Sequence, residues 1–119
     1  MIRMTLLVLA ATALLVVPAY AKSSAVALKG EVGPGFSIEV QKAGGSDLKT
    51  IKRGTYKIKV EDKSPIHNFH LIGPGLNKKT SVSFKGQTTW TIKLKPGRYT
   101  YQCDPHASAG MKGHFRVTA

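Results

Sequence analysis

The chain has 119 residues, of which 18 are Lys or Arg and only 6 are Asp or Glu, giving a formal charge of +12 at pH 7. A chain this short holds one small domain with a single core, and it has no internal repeat or low-complexity tract. The single cysteine excludes an internal disulfide, and the charge favours acidic partners and anionic surfaces.

The first residues, MIRMTLLVLAATALLVVPAYA, place Arg3 ahead of an apolar run from Leu6 to Val17, then Pro18 and a small-x-small ending at Ala21. This predicts a secretory signal peptide over residues 1–21, cleaved before Lys22, and a single domain over 22–119. A transmembrane anchor is the competing reading, but the run falls short of the roughly 20 residues that span a bilayer. Export places the domain outside the cytoplasm, periplasmic or secreted, where thiols are oxidised. Cys103 has no partner in the chain, so there it needs burial, a second chain or a bound group to protect it. Export and the scattering of lysines through strand-like segments also argue against nucleic acid as the partner.

From Ala25 onward, short runs alternate with period two between Gly and Pro. GEVGPGFSIEVQ puts Phe36, Ile38 and Val40 on one face, and KAGGSD and Lys52-Arg53-Gly54 supply turns. TYKIKVED sets Tyr56, Ile58 and Val60 against Lys57, Lys59 and Glu61, the pattern of a strand with one buried face. In SPIHNFHLIGPG, His67, Phe69 and Leu71 share the more apolar face, while Asn68, His70 and Ile72 share the other. TTWTIKLKPGRYTYQC buries Trp90, Ile92 and Leu94, turns at Lys95-Pro96-Gly97 and resumes inward with Tyr99, Tyr101 and Cys103. The final HFRVT points Phe115 and Val117 inward. Beyond residue 21 no helical period is sustained. About 7–8 strands predict an all-β fold, an antiparallel β-sandwich with Greek-key connections. Strand count alone leaves a small barrel of the oligonucleotide-binding type open.

The stretch YQCDPHASAGMKGHF carries the chemistry. Cys103 ends its strand facing inward, and Asp104 and Pro105 open a loop that brings His106 back beside it, a common spacing of metal ligands. Gly110 gives that loop the freedom to fold the Met111 thioether under the same ion. Of the two upstream histidines, His67 lies on the apolar face and is the one aimed at Cys103. Two imidazoles, one thiolate and one weak thioether make a trigonal site suited to copper cycling between oxidation states, whereas methionine is a poor zinc ligand. Singly, each residue has a plainer role: a core cysteine, solvated His70 and His114, a gap-filling Met111. Their joint occurrence within Cys103–Met111, with His67 upstream, singles them out.

His67-Asn68, followed by Cys103-x-x-His106-x-x-x-x-Met111 and Lys112-Gly113 leading into a last strand, resembles the copper motif of the cupredoxins, especially the plastocyanin and pseudoazurin branch. Phe69-His70 after the asparagine is similar to the amicyanin version, whose second histidine is not a ligand. The resemblance implies a two-sheet Greek-key sandwich holding one copper ion per chain on His67, Cys103, His106 and Met111. Asn68 would tie the first ligand loop to the cysteine loop, with Asp104 as its neighbour in that support. The implied function is an exported, monomeric, mononuclear type 1 copper protein, not an enzyme, that carries single electrons between redox partners. A copper carrier or buffer would use the same ligands. A thiol enzyme would need a substrate cleft, and a metal-free basic module would tolerate loss of all four ligands. The basic surface departs from plastocyanin's acidic one and implies an acidic redox partner. It would meet the exposed His106 through an apolar patch of Pro65, Ile66, Pro74, Pro105, Ala107 and Ala109, with lysines outside the patch steering it.

Overall fold

The structure, a computed structural model, describes residues 26–119 together with 12–14 and 16. The predicted signal peptide over 1–21 and its cleavage before Lys22 lie outside the described residues, save for those two short pieces, which form no regular element.

Among the described residues, nine strands build two sheets. The first contains β1 (Val26–Val32), β2 (Ile38–Lys42), β4 (Gly54–Asp62) and β7 (Gly86–Leu94), in the order β2-β1-β4-β7. The second contains β3 (Thr50–Lys52), β5 (His70–Gly73), β6 (Leu76–Lys79), β8 (Gly97–Gln102) and β9 (Lys112–Thr118), in the order β3-β9-β8-β5-β6. The chain crosses between sheets repeatedly, which is the Greek-key sandwich the pattern predicts and not a barrel. The sheets are mixed, however, and the antiparallel expectation is corrected: β1 runs parallel to β4, and β3 parallel to β9. Short β3 crosses to the second sheet and turns the chain round, so β4 returns beside β1 in the same direction.

Period-two alternation accounts for the core. Ile58 and Val60 of β4 and Trp90, Ile92 and Leu94 of β7 point inward, while the lysines between them face water. Against them pack Tyr99 and Phe115, stacked at 5.4 Å, and Phe69, 6.1 Å from Trp90. Full burial of an apolar side chain of this size stabilises the fold by about 1.5–3 kcal/mol.

Two expectations fail for local reasons. Phe36 is 70% exposed and outside the core, because Gly33, at φ 73°, turns the chain and breaks the alternation before β2 begins. Pro74 sits in the β5–β6 turn, where its carbonyl accepts the Tyr99 hydroxyl at 2.8 Å. Since β5 runs away from His70, Pro74 lies at the end of the sandwich opposite His106 and leaves the predicted docking patch. The pairing of His70 with Gln102 across β5 and β8 brings His67, just before β5, beside Cys103, just after β8.

Candidate metal centre

Three loops meet at one end of the sandwich. After β4, Asp62 Oδ1 accepts the Ser64 amide at 3.0 Å and Ser64 Oγ accepts the Ile66 amide at 3.3 Å. These two local turns redirect the chain so that His67 enters the interior, fully buried. After β8 the chain forms a short 3-10 segment, Asp104–Ala109, ended by Gly110 in the left-handed conformation at φ 98°. The loop is closed at its base, where the Cys103 amide donates to Met111 O at 3.0 Å and the Met111 amide to His106 O at 3.2 Å. Cys103 and Met111 are thereby adjacent and both buried, while His106 is half-buried at the surface.

The geometry converges on three atoms. His67 Nδ1 and His106 Nδ1 are 3.0 Å apart, and Cys103 Sγ lies 3.6 Å from the first and 3.4 Å from the second. Three donor atoms this close together can share one ion at the roughly 2.0 Å of a metal–imidazole bond and the roughly 2.3 Å of a metal–thiolate bond. Among the described residues this is the group of histidine, cysteine and acidic side chains able to hold a metal ion. His67 Nε2 is buried without a hydrogen-bond partner, so the ring's other nitrogen is the one that meets the sulfur and the second imidazole. A soft sulfur and two borderline nitrogens match copper's two oxidation states, and the donor set fits it.

A polar lattice holds the cysteine loop. Asn68 Oδ1 accepts the Asp104 amide at 2.7 Å, and its Nδ2 donates to Asp104 Oδ2 at 3.0 Å and Thr80 O at 3.2 Å. Asp104 Oδ1 also accepts Gln102 Nε2 at 2.8 Å and meets His70 Nδ1 at 2.8 Å. Desolvation raises the Asp104 pKa, but the bonds from Gln102, His70 and Asn68 outweigh it and hold the carboxyl at about 2. Asn68 is 2% exposed although alternation put it on the outer face with His70; residues 67–69 precede β5 and do not follow its pleat. His70 is not simply solvated, for its Nε2 also lies 2.5 Å from Asn77 Oδ1. His114 is exposed on β9.

Sequence reasoning missed Phe36. Its ring stands edge-on to His67 at 5.4 Å and to His106 at 5.0 Å, covering both imidazoles from outside. Nothing in Gly33-Pro34-Gly35-Phe36 marks that contact, which arises only when the β1–β2 turn reaches the ligand end. Gln102, Asn77 and Thr80 were missed likewise, since pairing across strands creates their roles.

A two-sheet β-sandwich with a buried cysteine sulfur and two imidazoles at one end defines a small soft-metal protein. The family described as copper binding proteins, plastocyanin/azurin family, matches residues 21–118, and the chain belongs to it. One copper ion per chain is its cofactor, consistent with the His67, Cys103 and His106 cluster. Rusticyanin from Thiobacillus ferrooxidans superposes with a TM-score of 0.54 at 24% identity, over 76% of this chain and 75% of that one. Reduced auracyanin from the photosynthetic bacterium Roseiflexus castenholzii gives 0.51 at 19% identity, over 76% and 95%. An oxidised amicyanin variant gives 0.51 at 18%, over 77% and 82%. At these identities the likeness is one of fold. Among the described residues, no helix is long and apolar enough to cross a membrane.

Proposed function

We propose that the protein is an exported type 1 copper protein that carries single electrons between redox partners, with His67, Cys103, His106 and Met111 as the copper ligands. The observation that carries this is the triangle of two Nδ1 atoms and one sulfur, with edges of 3.0, 3.4 and 3.6 Å, closed off from water on the Cys103 side. Bound copper supplies a one-electron couple, Cu(I)/Cu(II). The chain's own residues do the rest. Burial keeps the Cys103 sulfur from oxidants, which answers the problem of an unpaired thiol in an exported protein. The Asn68–Asp104 lattice and the paired loop base hold the ligands in one arrangement, so little reorganisation accompanies a change of charge.

His106, the half-buried ligand, is the port. Around it Phe36 and Ile66, 70% and 53% exposed, with Pro65, Pro105, Ala107 and Ala109, form the apolar rim a partner would cover. A brief encounter suits turnover, and such contacts bury less than about 1,200 Å² in total. The excess of cations favours a partner with an acidic docking face. The leader over 1–21 directs the domain of residues 22–119 out of the cytoplasm, to work as a monomer.

The test is to add Cu(II) to the purified protein and record visible absorption beside Cys103→Ser. The expected result is an intense thiolate-to-copper band that the substitution abolishes. A pale spectrum unchanged by Cys103→Ser would sink the assignment. Reversible reduction in voltammetry separates an electron carrier from a copper store.

A further inference from the structure

The outer face of the five-stranded sheet carries cations that no acid neutralises. Arg98 of β8 stands directly across from Arg116 of β9, and Thr100 across from His114. Lys49 joins them through its carbonyl, which accepts the Arg116 amide at 2.9 Å. Lys49, Arg98, His114 and Arg116 line a cleft of about 340 Å³ over the buried Phe115. A neighbouring cleft lined by Thr100 and Lys112 shares Arg98 and His114 and continues it along the same strands. Arg98 follows Gly97 at the end of the sandwich away from the copper site, so this is a separate place on the molecule.

Like charges opposed across a ladder destabilise it, and on the other sheet, where Lys29 faces Lys59 and Glu31 faces Glu61, ion pairs of opposite sign offset that cost. There Lys29 meets Glu31 and Glu61, each at 3.1 Å, and Lys63 meets Glu31 at 2.7 Å. All six acidic residues lie between Glu31 and Asp104, and among the described residues none forms an ion pair with Lys49, Arg98, Lys112 or Arg116. Two guanidinium groups on one wall are the donors that grip an oxyanion through paired N–H bonds.

We propose that this cleft is an oxyanion site taking a doubly charged tetrahedral anion: sulfate, phosphate or the phosphate of a monoester. The anion supplies the countercharge the chain itself withholds. A concave wall of two arginines, a lysine and a histidine suits such a compact group better than the broad face of an acidic protein.

The test is thermal unfolding of the full protein in sodium sulfate and sodium phosphate, against sodium chloride at matched ionic strength. The expected result is a saturable rise in Tm beyond chloride, lost in an Arg98→Gln, Arg116→Gln double variant. A Lys57→Gln, Lys93→Gln variant, which removes the same charge from the other sheet, should keep the rise. An unsaturable rise that survives in the arginine double variant is the general stabilisation by excluded salts and overturns the site. So does an equal response to chloride and sulfate. Circular dichroism checks the double variant, and Arg98→Lys, which keeps the charge without the fork, should weaken the sulfate effect even if the double variant does not fold. Sedimentation with phosphatidic acid vesicles, reversed by inorganic phosphate, would place the phosphate on a lipid. Saturation by phosphate without sedimentation would make the ligand the free ion.

Discussion

Phe36 illustrates how a single exposed side chain serves a buried site. Its edge-on contacts at 5.4 and 5.0 Å shield the outer rims of His67 and His106, and aromatic pairs of this kind contribute about 0.5–1.5 kcal/mol each. Phe36→Ala should leave the visible band of the copper-loaded protein in place while speeding loss of copper to a chelator several-fold, read by stopped-flow. An unchanged rate would show that the ring is no cover. Asn68 acts from the protein side: it satisfies the Asp104 amide and ties it to Thr80. Asn68→Ala should cost about 1–3 kcal/mol in urea unfolding, the cost of stranding polar partners, and should shift the visible band because the cysteine loop loses its brace. A band at the parent's wavelength would confine Asn68 to stability.

At the scale of elements, the ends of β1 and β4 are held by charge as well as by the ladder. Glu31 of β1 receives Lys63 at 2.7 Å and Lys29 at 3.1 Å. The Lys63 bond lowers the Glu31 pKa below 4.5 against an opposing desolvation, with Lys29 assisting. A carboxyl whose folded pKa lies below its unfolded value stabilises above that unfolded value, and the gain disappears as pH falls through the folded one. The pair is partly exposed, so its contribution is about 1 kcal/mol or less. Glu31→Gln should therefore lower stability by that amount at pH 7 and match the parent well below pH 4.5. Urea unfolding at the two pH values measures it, and a deficit that persisted in acid would mean that packing, not charge, is what the substitution removes.

At the scale of the whole molecule, the cations outnumber the acids three to one, and the acids that pair with lysines do so on the four-stranded sheet. Fields of this kind steer encounter and are screened over about 10 Å at 0.1 M salt. The second-order rate of electron transfer with an acidic redox partner should fall about tenfold or more as salt rises from about 0.01 to 0.5 M. The visible spectrum should not change over that range. A rate indifferent to salt would leave the basic surface without a part in docking.

The sequence by itself determined the sandwich and the gathering of the cysteine loop, because both rest on short-range physics. Alternation in TYKIKVED and TTWTIKLK allows only one face of each strand to be buried, and Cys103, His106 and Met111 are close enough along the chain for one loop to gather them. The apolar Phe69–Leu71 face pointed to His67 over His70, but residues 67–69 precede β5, and it is the pairing of His70 with Gln102 that sets His67 beside Cys103. What only the tertiary structure decided depends on which strands cross between the sheets. The parallel pairing of β1 with β4, the turn that lifts Phe36 onto the histidines, and the placing of Pro74 at the far end have no local pattern. The opposition of Arg98 and Arg116, and the lattice joining Asn68, Asp104 and His70, are likewise products of register. Such contacts join residues far apart in the chain, and no period in the sequence encodes the separation between them.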